Sequence, residues 1–164
     1  MWKKITTVLV ALAFAALAAQ AITSASAAPH AEGVLQWTIN GNPVGPPMSP
    51  PPQANDFHAF WKPMGKAKLQ WTVNGDPVGP RIQSPNVAND IDLDYDAAGN
   101  FTTAYWTRNG NRIQQIPVAP GANDVHVRLK QPRKYTKAFW TLNGNPIAPI
   151  QIPPGANGFD LEFH

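Results

Sequence analysis

A ten-residue segment occurs four times in the chain, and this repetition constrains the fold more than any other feature of the sequence. Each copy places a tryptophan three residues before an Asn-Gly pair, and the tryptophans are Trp37, Trp71, Trp106 and Trp140. An Ala-Asn-Asp or Ala-Asn-Gly motif follows each copy and ends at Asp56, Asp90, Asp124 and Gly158. A recurring period of about 34 residues is typical of folds built from repeated units. The sequence therefore predicts four repeats, at approximately residues 35–68, 69–103, 104–137 and 138–164.

The residues around each Asn-Gly pair predict a β-hairpin. Asn and Gly both tolerate the positive φ angles of a type I′ turn, which suits the twist of two flanking strands. In front of the first turn Leu35, Trp37 and Ile39 alternate with polar residues, so one face of a strand is expected to be buried. The alternate residues, which include Gln36 and Thr38, are expected on the opposite face.

Two further segments complete each repeat. The segment after the turn contains proline in three of the four repeats, which restricts it to a sheet edge or to polyproline-like geometry because proline donates no hydrogen bond. The Ala-Asn pair introduces a third segment with clean alternation, as in Phe57, Ala59 and Trp61. The part of the chain after residue 27 shows no helical periodicity.

These patterns predict an all-β fold in which four tandem β-meander repeats close into one domain. A propeller-like ring is the first choice, and a barrel or a two-layer sandwich is the alternative. We expect each third segment to form a hairpin with the first segment of the next repeat, most clearly at residues 90–96 and 101–107. Residues 35–39 and 159–163 would then remain, and antiparallel pairing between them would remove two exposed edges.

The first 27 residues have the form of a signal peptide. Lys3 and Lys4 precede an uncharged apolar run that ends at Ala19, and Ala25-Ser26-Ala27 forms a small-x-small cleavage site. An uncleaved anchor is the alternative, but the apolar run is short for a membrane span. We expect residues 1–27 to be removed, leaving a single domain of residues 28–164 with no transmembrane segment, in a secreted or periplasmic location.

The balance of charged residues and the absence of catalytic motifs reduce the number of function classes to consider. Without Lys3 and Lys4 the chain keeps 11 of its 13 basic residues against 10 acidic ones, so nucleic acid is not an expected partner. The sequence contains no cysteine, no Gly-x-Ser-x-Gly segment and no phosphate-binding loop, so we expect no enzymatic activity. An exported hydrolase with a site assembled from distant residues is kept as an alternative. Nothing in the sequence indicates an oligomeric state.

The strand faces opposite the tryptophans suggest a ligand-binding surface. We expect the tryptophans in the core, because they share a face with aliphatic residues. The candidate ligand-binding residues combine aromatic rings with amides and are Tyr105, Phe139, Phe60, Gln36 and Gln70. Such surfaces suit sugars, which offer apolar C–H patches and hydroxyl groups. The sequence therefore predicts an exported, non-enzymatic carbohydrate-binding module for a cell-surface or extracellular glycan, with several equivalent weak sites that together give avidity. A structural or protein-binding repeat protein with a proline-rich rim is the alternative.

No cofactor is expected, although one pattern keeps a divalent metal ion as an alternative. Two residues after the Ala-Asn-Asp/Gly motifs stand, in order, His58, Asp92, His126 and Asp160. In a closed four-fold ring these side chains would meet at one axis, and two imidazoles with two carboxylates suit zinc. If they face outward instead, the alternation gives only charge-complementary neighbours.

Overall fold

A computed structural model describes residues 31–164, so the expected signal peptide of residues 1–27 lies outside the described residues. The described chain is all-β and consists of twelve strands. Their bounds are β1 Gly33–Ile39, β2 Asn42–Pro43, β3 Asp56–Lys62, β4 Ala67–Val73, β5 Asp76–Gln83, β6 Asp90–Tyr95, β7 Phe101–Arg108, β8 Asn111–Gln115, β9 Asp124–Leu129, β10 Lys134–Leu142, β11 Asn145–Ile150 and β12 Gly158–Phe163. Within residues 31–164 there is no helix with the length and apolar character needed to cross a membrane.

The strands form two six-stranded antiparallel sheets. Sheet A has the order β2-β1-β12-β9-β4-β5, and sheet B has the order β11-β10-β3-β6-β7-β8. The hairpins β1–β2 and β4–β5 lie in sheet A together with β9 and β12, whereas the hairpins β7–β8 and β10–β11 lie in sheet B together with β3 and β6. The chain therefore passes back and forth between the two sheets.

The four Asn-Gly pairs form the predicted turns. Asn40 has a φ of 51° and Gly41 a φ of 87°, and the other three pairs have nearly the same angles. Each turn is held by the asparagine of an Ala-Asn motif far along the chain. Asn157 accepts a 2.8 Å hydrogen bond from the Asn40 backbone N–H, and its Nδ2 donates a 2.8 Å bond to the Asn40 side chain. The same reciprocal contact recurs at the other three turns.

The prediction that the terminal strands pair is confirmed. β1 and β12 lie antiparallel, from Gly33 opposite Phe163 to Thr38 opposite Gly158. This pair lies inside sheet A, where β12 is also bonded to β9. The strand pairing of the described residues shows two open sheets, without the propeller-like ring or a closed barrel. The arrangement corresponds to two stacked layers, the form of fold given above as an alternative.

The expected hairpins between consecutive repeats are only partly correct. The β6–β7 hairpin is confirmed, and its turn is closed by Asp96, whose carboxylate accepts hydrogen bonds from the backbone N–H groups of Ala98 and Asn100. The expected pairs β3–β4 and β9–β10 are wrong, because in each case the two strands lie in different sheets. Lys62 and Lys130 stand there at the position of Asp96, so neither connection has the aspartate that closes the β6–β7 turn. Both connections cross between the sheets, so that the apolar faces cover one another.

The proline-rich segments lie at sheet edges, as predicted. β2, β5, β8 and β11 are the four outermost strands, and proline occurs in three of them, at Pro43, Pro77, Pro80, Pro146 and Pro149. A proline offers no N–H to a further strand, so it limits edge-to-edge association. β8 is the edge strand without proline, and all five of its residues are exposed.

The inner faces of the two sheets form one core. The four repeated tryptophans are between 0 and 3% exposed, which confirms their predicted place. Aromatic rings from the two sheets contact each other. The ring centre of Phe57 in sheet B lies 4.9 Å from that of Phe159 in sheet A, and the ring centre of Trp37 in sheet A lies 5.1 Å from that of Tyr135 in sheet B. Since the inner faces meet, the alternate residues of the two sheets point to opposite sides of the molecule.

Candidate functional site

The repeated threonines and aspartates form buried pairs on the outer faces of the sheets. Thr141 Oγ1 donates a 2.5 Å hydrogen bond to Asp56, Thr72 donates a 2.6 Å bond to Asp124, and Thr107 donates to Asp90. The threonines were expected on the open face of their strands, but these pairs bury them. Thr38 is the fourth, and opposite it stands Gly158, so its hydroxyl has no partner among the described residues.

His58 lies at the centre of the outer face of sheet B, among three aspartates. The β3–β6 register places it directly opposite Asp92. Its Nδ1 is 3.2 Å from Asp90 Oδ2, and its Nε2 is 3.2 Å from Asp56 Oδ2 and 3.7 Å from Asp92 Oδ1. The His58 side chain is 13% exposed, and the side chains of the three aspartates are at most 5% exposed.

The charged groups of this cluster shift one another's pKa values. Burial opposes protonation of His58, but hydrogen bonds with Asp56 and Asp90 outweigh it and raise the pKa of His58 to about 10. Burial raises the pKa of Asp92 to about 7, and the negative charge of Asp56 adds to this shift. Burial also raises the pKa of Asp90. Burial opposes ionisation of Asp56 as well, but the hydrogen bond and positive charge of His58 together with the hydrogen bond from Thr141 outweigh it and lower the pKa of Asp56. Such perturbed groups concentrate at functional sites.

Aromatic rings extend this cluster along the same face. The Phe139 ring lies 5.2 Å from the His58 ring and 5.8 Å from the Phe60 ring, with the planes inclined by less than 30°. The Lys137 ammonium lies 5.0 Å from the centre of the Phe139 ring. The rings of His58, Phe60 and Phe139 together make a half-buried aromatic strip beside the carboxylates.

Arg112 covers the other side of the cluster. Its Nε donates a 2.8 Å hydrogen bond to Asp92 Oδ2, and its Nη2 donates a 3.2 Å bond to Asp94. The guanidinium carbon also lies 4.1 Å from the centre of the Tyr105 ring. Asp92 and Tyr105 stand opposite each other in the β6–β7 register, so Tyr105 belongs to the same outer face.

These side chains line a surface groove of about 500 Å³, hereafter the sheet B groove. It is bordered by the Asn-Gly turns at Gly110 and at Asn143-Gly144. The lining residues that carry chemistry are Asp56, His58, Phe60, Asp92, Arg112 and Phe139. The groove therefore combines stacked aromatic rings with donors and acceptors in one concave surface.

The five predicted ligand-binding residues are divided between the two sheets. Phe60 and Phe139 line the sheet B groove, and Tyr105 lies beside it beneath Arg112. Gln36 and Gln70 lie on sheet A, where their amides donate hydrogen bonds to the backbone. Gln36 Nε2 is 3.0 Å from the Val44 carbonyl, and Gln70 Nε2 is 3.3 Å from the Val78 carbonyl. These amides attach the segments after the turns to the neighbouring strands.

The four residues of the predicted metal set do not meet at one point. His58 and Asp92 are neighbours on sheet B, whereas His126 and Asp160 are neighbours on sheet A, at the opposite side of the molecule. The structure instead adds Asp56 and Asp90 to His58. The repeated aspartate of the Ala-Asn-Asp motif was the sequence signal for both residues. Asp56 lies two residues before His58 on the same face of β3, whereas the closeness of Asp90 depends on the pairing of β3 with β6.

The outer face of sheet A has a related but different arrangement. His126 Nε2 lies 3.0 Å from Asp124 and its Nδ1 lies 2.5 Å from Asp160. Arg128 stands at the position that Phe60 has on sheet B, and Gly158 stands at the position of Asp90. The Arg128 guanidinium is 2.6 Å from Asp160, so a cation replaces the aromatic strip on this face.

We expect His126 to stabilise the fold most at low pH. Hydrogen bonds with Asp124 and Asp160 raise the pKa of His126 from 6.5 to about 9, against the opposing effect of burial. Because the folded-state pKa is higher than the unfolded one, this stabilisation is complete below about pH 6.5 and is lost as the pH rises to about 9. The difference in melting temperature between the parent protein and His126→Gln should therefore shrink across that window.

Opposite His126 on β4 stands Gln70, which has no ionisable group to contribute to this comparison. Thermal unfolding of both proteins at several pH values measures the difference. A difference that does not change with pH would contradict the assignment.

No protein-family model, no curated protein and no solved structure matches the chain.

Proposed function

We propose that this protein is an exported, non-enzymatic binding module whose sheet B groove binds a carbohydrate. The observation that carries the proposal is the stacked pair Phe60 and Phe139 directly beside the polar groups of His58, Asp92 and Arg112. Export and a secreted or periplasmic location rest on the signal-peptide pattern of residues 1–27.

The chemistry of the groove fits a sugar ring. One face of a pyranose presents C–H groups that pack on an aromatic surface, while its hydroxyls need donors and acceptors at the rim. Phe60 and Phe139 supply the apolar surface, and Arg112 and the carboxylate of Asp94 supply a donor and an acceptor at its border. The volume of about 500 Å³ lies within the usual range of small-molecule sites.

The charges in the groove favour a neutral sugar. Asp56, Asp92 and Asp94 line it, together with His58 and Arg112. The cations are already bonded to these carboxylates, so they are not free to hold an anionic group. We therefore propose a neutral oligosaccharide as the ligand class.

We propose that each of the four sequence repeats corresponds to one hairpin in one sheet and one strand in the other. The repeats then place related positions on both outer faces, but only sheet B has the aromatic pair. Each chain therefore has one principal site, on sheet B, in place of several equivalent ones.

A glycan array followed by calorimetric titration with the best neutral oligosaccharide tests this function. The double variant Phe60→Ala, Phe139→Ala should bind about tenfold more weakly or worse, since stacked aromatic contacts contribute about 1 kcal/mol each and about 1.4 kcal/mol is tenfold. Val87→Ala is the matched control, because it removes an exposed apolar side chain away from the groove. Absence of binding to every neutral glycan, or equal affinity of the double variant, would refute the proposal.

A hydrolase is the second candidate, and one observation favours it. Asp92 has its pKa raised to about 7 beside Asp56, and two neighbouring carboxyl groups of different pKa are the usual machinery for cleaving glycosidic bonds. Incubation of the bound oligosaccharide with the protein distinguishes the two functions. New reducing ends that disappear in Asp92→Asn would establish a hydrolase, and an unchanged oligosaccharide supports the binding module.

A further inference from the structure

We infer that Asp56, His58 and Asp92 form a binding site for one divalent metal ion, most suitably zinc. One ligand atom from each of the three side chains lies within 4.8 Å of those of the other two. Two of the residues come from β3 and the third from the adjacent β6, so the site is built on paired strands in the middle of sheet B. This inference is independent of carbohydrate binding, since it concerns the ion alone.

The orientation of His58 is that of a metal ligand. Its Nδ1 contacts Asp90 Oδ2 at 3.2 Å, and Asp90 is itself held by the Thr107 hydroxyl. Metal-binding histidines commonly direct their second ring nitrogen to a carboxylate, which sets the ring orientation and the tautomer. Zinc would displace the proton that His58 carries on Nε2 while Nδ1–H stays donated to Asp90, and the Nε2 lone pair would then face Asp56 and Asp92.

The two carboxylates have oxygens without hydrogen-bond partners. Asp56 Oδ1 and Asp92 Oδ1 are both inaccessible to solvent and accept no hydrogen bond from the described residues, and the two residues are 3% and 4% exposed. Buried polar atoms are nearly always satisfied, so such oxygens need a partner. Arg112 holds the other oxygen of Asp92, which leaves Oδ1 on the side of His58. A cation between the three side chains would satisfy these oxygens.

The donor set indicates the type of ion. One imidazole nitrogen and two carboxylate oxygens suit zinc or a similar borderline ion, whereas calcium takes six to eight oxygens. Three protein ligands leave a fourth tetrahedral position open. His58, Asp56 and Asp92 all line the sheet B groove, so that position would be reached from the groove.

Sheet A provides an internal control for this inference. His126, Asp124 and Asp160 correspond to His58, Asp56 and Asp92, but Gly158 stands in place of the orienting Asp90. The Arg128 guanidinium already binds Asp160 at 2.6 Å. His126 Nδ1 is directed at Asp160 rather than at a separate orienting carboxylate. We therefore expect one metal ion per chain, on sheet B.

Metal titration of the chelator-treated full protein tests the inference. With zinc chloride as the probe, we expect one ion per chain in the parent protein and in His126→Ala, and no stoichiometric uptake in His58→Ala. Asp90→Asn should bind zinc about 10–100-fold more weakly, because it alters only the group that orients His58. Visible absorption of the Co²⁺-loaded protein gives a second signal for tetrahedral binding with a histidine nitrogen.

Each of these titrations can support or overturn the inference of a metal site. Absence of uptake by the parent protein, undiminished uptake in His58→Ala, or equal loss in His126→Ala would overturn the inference. If circular dichroism shows that His58→Ala is unfolded, the nearly isosteric Asp92→Asn takes its place and should also lose stoichiometric uptake. Retained uptake in a folded Asp92→Asn would likewise overturn the inference.

Discussion

Removal of residues 159–164 is expected to unfold the whole domain. β12 lies between β1 and β9 in sheet A, so its loss removes one of the two partners of each neighbour and separates β1 and β2 from the rest of the sheet. Phe159, Leu161 and Phe163 are at most 3% exposed. Burial of such side chains contributes about 1.5–3 kcal/mol each, and the sum approaches the total stability of a typical domain. Circular dichroism and thermal unfolding of the shortened chain measure the effect.

Deletion of His164 alone is the matched control for this truncation. The His164 side chain is 58% exposed, and its backbone N–H makes a single bond to the Glu32 carbonyl. We expect a melting temperature close to that of the full chain. A shortened chain ending at residue 158 that still melts cooperatively near the original temperature would contradict the structural role of β12.

The second large effect is expected at Phe57, which joins the two sheets. Its ring lies 4.9 Å from Phe159 of sheet A and 5.0 Å from Trp140 of its own sheet, and it is fully buried. Phe57→Ala should lower the free energy of unfolding by about 3–5 kcal/mol, because it removes apolar contacts and leaves a cavity. Urea unfolding monitored by tryptophan fluorescence measures this loss.

Phe60 lies on the same strand but on its outer face, and so provides the control. Phe60→Ala removes a ring of the same size from the half-buried strip, and we expect a loss below about 1 kcal/mol. Similar losses for the two variants would contradict the assignment of inner and outer faces. The control also shows whether the variants used for the carbohydrate experiment remain folded.

The turns, the strand faces and the edges were predictable because each depends on a few adjacent residues. Asn40-Gly41 selects a type I′ turn through its own backbone preferences, and the structure has the expected positive φ angles. The alternation around Trp37 identifies the buried face directly. Pro77 lacks a donor whatever its surroundings, so its strand must lie at an edge.

The pairing of strands across repeats was decided only by tertiary structure. Adjacency in sequence suggested a β3–β4 hairpin, but β3 pairs with β10 and β6. This arrangement places Thr141 opposite Asp56 and lets the apolar faces of the two sheets cover each other. Neither the threonine–aspartate pairing nor the covering of the apolar faces can be read from a local sequence pattern, because each depends on which distant strand becomes the neighbour.

In the candidate site, too, some features were set by the sequence and others only by the tertiary structure. The chain itself determined that His58 and Asp92 lie on outward faces at corresponding positions of two repeats, and that Phe60 shares that face. Only the β3–β6 register placed Asp92 against His58 and brought Asp90, 32 residues away, to its Nδ1. The physical reason is that a strand's sequence sets which side chains share a face, whereas hydrogen bonding between strands and burial of the sheet faces select the neighbours those side chains meet.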